Sequence, residues 1–168
     1  MTLMAIAGQL SREEEDHARA AKVLEAIDPQ TLPPDMVPLL INNLAWCRAL
    51  LGDGDEAVAL ATKALEMAEQ AKLPLLPYCL GTLGAAQVLS GRPGDAVSTL
   101  ERALALGKGD AYAQPIRLFF LGEALDALGR TDEAKQAWQR AIQENPKSPH
   151  AGRARERLGT LEVAKPYR

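Results

Sequence analysis

The sequence predicts an all-α chain, a right-handed solenoid of helix-turn-helix repeats closed by a C-terminal capping helix. Three observations predict it. The chain is 47% apolar but only 4% aromatic, the composition of closely packed helices rather than of a β-sandwich. Three glycine turns, "LLGDGDEA" at 50–57, "LSGRPGDA" at 89–96 and "ALGRTDEA" at 127–134, place Gly52, Gly91 and Gly129 at spacings of 39 and 38 residues. The residues flanking those glycines recur at fixed offsets too.

Each offset has a physical reading. Pro38, Pro77 and Pro115 stand where a first helix begins, a place where a missing N–H costs nothing. Leu44, Leu83 and Leu121 are followed by the small residues Ala45, Gly84 and Gly122, which let a second helix approach closely. The turn glycine ends the first helix because a left-handed residue there costs glycine little. Acidic residues just after it suit the N-terminus of the second helix. Ala57, Ala96 and Ala134, then Ala64, Ala103 and Ala141, keep that second helix slim on its inner face. One such hairpin cannot bury its apolar stripes alone, but stacked hairpins can.

The third unit, "LFFLGEALDALGRTDEAKQAWQRAIQENP" at 118–146, resembles the tetratricopeptide repeat family. Leu121-Gly122, Ala134, Trp138, Ala141 and Pro146 match the family's pattern, with Leu118 in place of its Trp and Leu125 in place of its Tyr. Units one and two depart more. They carry Ala61 and Leu100 where the third has Trp138, and neither has the terminal proline. Their longer period is similar to that of lengthened repeats in some bacterial regulators. Extra residues fall after the second helix, in "LEMAEQAKLPLL" and "LALGKGDAYAQ".

The expected organisation follows. Residues 1–34 read as a degenerate or truncated first repeat, in which Ser11 and Glu14 form a capping box. Three hairpins occupy about 38–76, 77–114 and 115–147 within a repeat region 35–147. Residues 148–168 supply a capping helix and tail, with Ala151, Ala154, Leu158 and Leu161 on one stripe.

Several function classes are disfavoured. A net charge of −3 gives no electrostatic case for nucleic acid. No apolar run approaches a membrane span, and the N-terminus is a poor signal peptide, so a cytoplasmic location is expected. Cys47 and Cys79 read as small buried hydrophobes in a reducing compartment. His17 and His150 lack metal-like spacing, and "GDGDE" at 52–56 lacks the remaining ligands of a calcium loop. No catalytic motif appears. An enzyme, a metal site and a cofactor are therefore not expected.

The expected role is a non-catalytic protein-interaction module. Helical arithmetic at about 100° per residue puts Ile41, Leu44, Ala45 and Arg48, and their counterparts, on the inner face of the first helices. The opposite face carries Leu39, Asn43, Trp46 and Leu50, then Tyr78, Thr82, Ala85 and Leu89, then Ile116, Phe120, Glu123 and Ala127. Asn42, Gly81 and Phe119 lie at its edge. The family resemblance implies that this face lines a concave groove. The candidate site is Asn42, Asn43, Trp46, Leu50, Tyr78, Thr82, Leu89, Ile116, Phe119, Phe120 and Glu123, taking an apolar or amphipathic peptide or helix. Trp46, Tyr78 and Phe120 would be anchors, and Asn42 and Asn43 would bond the peptide backbone. Phe119 is expected at the seam with the glycine-rich second unit. The alternatives are a structural or self-associating segment of a longer solenoid, including a homo-oligomer, and a ligand-sensing arm of a bacterial regulator.

Overall fold

The structure is a computed structural model describing residues 16–163; the Ser11–Glu14 capping box, residues 2–10 and the tail beyond 163 lie outside them. The described residues form eight α-helices: α1 (His17–Glu25), α2 (Val37–Leu51), α3 (Gly54–Gln70), α4 (Leu76–Leu89), α5 (Pro93–Leu106), α6 (Ala113–Ala127), α7 (Thr131–Glu144) and α8 (Pro149–Val163). A short 3-10 turn, Pro29–Thr31, joins α1 to α2, and Asp28 caps it by accepting from the Gln30 amide at 2.9 Å.

The repeat is visible first in the backbone. Gly52, Gly91 and Gly129 have φ of 90°, 74° and 74°, a region open to glycine and strained for other residues. After each, the next amide turns back to the helix just ended. Asp53 N donates to Arg48 O at 3.0 Å, Arg92 N to Gln87 O at 2.8 Å and Arg130 N to Leu125 O at 2.9 Å. These are three copies of one C-terminal capping motif, satisfying carbonyls that the helix ends would leave open.

Three hairpins result: α2 on α3, α4 on α5 and α6 on α7. Their first helices also pack in series, α2 on α4, α4 on α6 and α6 on α8, while α3, α5 and α7 also pack on the first helix that follows them. This is a helical repeat solenoid. α8 takes the place of a further first helix, and Ala151 and Ala154 are its fully buried contacts. The Ser148 hydroxyl accepts from the Ala151 amide at 3.1 Å and caps it.

The small columns sit at the closest approaches. Ala57, Ala64, Ala96, Ala103, Ala134 and Ala141 are all 0% exposed. A Cβ on Gly84 would lie 2.4 Å from Leu100 Cγ, and one on Gly122 would lie 2.3 Å from Trp138 Nε1. Trp138 is fully buried and donates to the Phe119 carbonyl at 3.2 Å. Cys47 and Cys79 are buried free thiols, pushed by burial up to about 11 and about 12, so they stay protonated near neutrality.

The extra residues after the second helices have two outcomes. In the first hairpin they lengthen the helix, so that α3 has 17 residues against 14 in α5 and α7. In the second they form a loop before α6, where the Asp110 carboxylate accepts from the Tyr112 and Ala113 amides at 3.1 and 3.0 Å. Arg117 is buried under that loop. It and Gln114 donate to the Gly107 carbonyl at the end of α5, at 3.3 and 3.0 Å. Burial lowers its guanidinium below the ordinary value, with Asp110 and Tyr78 opposing.

Candidate partner-binding face

Columns at fixed distances before the turn glycine define one side of the first-helix layer. Leu39, Asn43, Trp46 and Leu50 on α2 are half-buried, as are Ile116 and Glu123 on α6. Tyr78 and Leu89 on α4 are each 45% exposed. These positions are therefore mostly apolar and partly open.

The centre of this side is not open. Phe120 is 1% exposed and Phe119 is 2% exposed, which corrects the expectation of Phe120 as an exposed anchor. Trp46 on α2 meets Phe120 on α6 edge-on, with ring centroids 6.0 Å apart. Phe120 meets Phe119 at 5.4 Å. His150 at the start of α8 lies 5.6 Å from Phe119 and 5.9 Å from Phe120. Phe119 thus faces α8 rather than a seam with the second unit. The room at Gly81 is taken by Arg117, whose Nε would lie 3.3 Å from a Cβ there. Asn42 and Thr82 are buried too, at 6% and 7% exposed, and the Asn42 carbonyl oxygen is enclosed without a partner. These residues build the floor rather than meet a partner.

The ring contact between α2 and α6 carries geometric information. α4 lies between those helices in the packing series, with Ala85 fully buried in the same cluster. Large rings from α2 and α6 thus meet over the small Ala85 of α4.

At its C-terminal end this side changes character. His150, Arg153, Arg157 and Thr160 share one face of α8, at helical spacing. Arg157 grips Glu123 with two hydrogen bonds, one from Nε at 2.8 Å and one from Nη2. The Arg153 guanidinium lies over the Phe119 ring, 4.7 Å from its centroid. Phe119, Arg153, Glu156, Arg157 and Thr160 line a cleft of about 290 Å³. Burial pushes His150 down to about 4, with Arg153 adding to the effect, and its Nε2 is enclosed without a hydrogen-bond partner. The sequence signal for this end was the 150/153/157/160 spacing, beside the buried stripe of α8.

Among the described residues no group of three His, Cys, Asp or Glu side chains is placed to hold a metal, and no helix is long and apolar enough to cross a membrane.

Two family models described as tetratricopeptide repeat match the chain, over residues 37–109 and 87–158. Among solved structures, the chain is similar to a TPR-like protein from Chlorobium tepidum TLS, at 18% identity and a TM-score of 0.63, covering 77% of this chain and 99% of that one. It is also similar to the first TPR domain of the human RPAP3 protein, at 22% identity and a TM-score of 0.58, covering 79% of this chain and all of that one. No curated protein sequence matches it.

Proposed function

Since the chain belongs to the tetratricopeptide repeat family, we propose that it is an interaction module holding an apolar or amphipathic peptide or helix of a partner protein on its concave face. Domains of this family generally mediate protein–protein interactions and are typically non-enzymatic scaffolds. The observation that supports the finer reading is the partly open state of the apolar residues Leu39, Trp46, Leu50, Tyr78, Leu89 and Ile116 on the first helices. Exposed apolar surface concentrated in a concavity marks binding sites more than accident. Amphipathic helices occupy such grooves through residues at helical spacing.

Asn43 is the half-exposed polar group that remains for a peptide backbone. Glu123 is occupied by Arg157. The double variant Tyr78→Ala, Leu89→Asp tests the reading, with the fold checked by circular dichroism. Peptides selected by display on the native chain should bind this variant at least about tenfold more weakly, a loss of about 1.4 kcal/mol. Glu101→Lys on the outer face of α5 should leave affinity unaltered. Equal affinity for the native chain and the double variant would overturn the concave-face assignment.

A further inference from the structure

We infer that the cleft between α6 and α8 selects an acidic side chain on the bound peptide, with Arg153 as its reader; this rests on the concave-face reading above. Two cations line the cleft, and they differ. Arg157 is spent on Glu123, which accepts from it twice. Arg153 has no carboxylate within ion-pair distance among the described residues, although Glu156 stands one turn away on the same wall.

The Phe119 ring beneath Arg153 is what makes it a reader. A guanidinium attracted to a ring face keeps N–H groups available for an anion. Phe119 is itself fixed, buried against Phe120 and His150. The guanidinium thus has a fixed ring beneath it before a ligand arrives, and the planar fork of an arginine can give a carboxylate two parallel hydrogen bonds. Glu156 on the cleft wall narrows the choice of anion. Its charge opposes a dianion such as phosphate more strongly than a single carboxylate.

The cleft adjoins the aromatic floor of the apolar face. Trp46, Phe120, Phe119 and Arg153 follow one another in steps of 6.0, 5.4 and 4.7 Å, the two phenylalanines buried beneath. From α2 to α8 there are three helix spacings of roughly 9 Å, a path that about eight extended residues cover. One short segment therefore reaches both ends. Its apolar residues lie over Trp46, Leu89 and Ile116, and its Asp or Glu lies at Arg153.

Two fluorescein-labelled peptide pools, rich in Leu, Ile and Phe, test this. Both are amidated at the C-terminus and differ in a single internal residue, Asp in one and Asn in the other. Anisotropy titrations of the native chain should favour the Asp pool by about fivefold. Arg153→Gln should abolish that preference while still binding the Asn pool, and Leu89→Asp should weaken both pools alike. If Arg153→Gln keeps the native preference, the acidic-residue inference falls and the concave-face reading stands. If neither pool binds the native chain, both fall. Displacement of the Asp pool by millimolar inorganic phosphate would assign the cleft to a dianion and overturn the inference as well.

Discussion

The first and third hairpins share one register and close on different chemistry. In the third, Gly122 exposes the α6 backbone to the Trp138 ring, which fills the space and reaches the Phe119 carbonyl. In the first, the equivalent positions hold Ala45 and Ala61, both fully buried, with no large ring between the helices. The first hairpin has a polar fastening instead. Arg48 pairs with Glu25 on α1, with Asp53 in the turn and with Glu56 on α3. The second hairpin stands between them, with Gly84 against Leu100. One backbone plan is thus closed by a ring, by a branched aliphatic, or by two methyl groups aided by charge. The plan lies in the turn and the small columns, and the filling is free to vary around it.

Mutation can break that comparison, and the largest effect belongs to the ring. Trp138→Ala should cost about 3–5 kcal/mol through its cavity, read by urea denaturation, whereas Ala61→Gly should cost about 1 kcal/mol through helix propensity. Equal losses would mean that the ring does not set the third hairpin. Gly122→Ala comes next, at about 1–3 kcal/mol of overpacking. Gly84→Ala should cost less, because a leucine side chain shifts more readily than an indole whose N–H is engaged.

An effect that depends on pH is expected at His150, which packs on the same Phe119. Its folded value of about 4 lies below the ordinary 6.5. Between those values the unfolded chain binds the proton more readily. The contribution is intact above pH 6.5 and is lost as pH falls toward 4. His150→Gln should flatten that part of the pH profile of the urea midpoint. The smallest effect is at Arg48, where ion pairs with partly exposed groups contribute about 0–1 kcal/mol. Arg48→Gln should be measurable at low ionic strength and fade as salt is raised, while Trp138→Ala should keep its full cost.

The repeat was legible in the sequence because its causes are local. A left-handed residue at Gly91, or a slim contact at Ala103, leaves its mark at one position whatever the rest of the chain does. The buried position of Phe120 has a different origin. It depends on α2 reaching α6 across α4, a contact between two different hairpins, and no single hairpin encodes that. Helical arithmetic expects Trp46, Tyr78 and Phe120 on one side. It could not tell that two of those rings meet and that only Tyr78 stays well exposed. Arg117 was missed for a related reason. Its burial depends on Gly81 of one helix and Gly107 at the end of another, residues far apart in the chain.

The central claim is that partners meet the inside of the curve. Amide chemical-shift mapping of the chain with a display-selected peptide tests it most directly. The account predicts perturbations at Leu39, Asn43, Trp46, Leu50, Tyr78, Leu89 and Ile116, extending to Arg153 for an acidic peptide. Perturbations confined to Lys63, Glu66, Glu101, Gln136 and Gln139, exposed on the second helices, would contradict it.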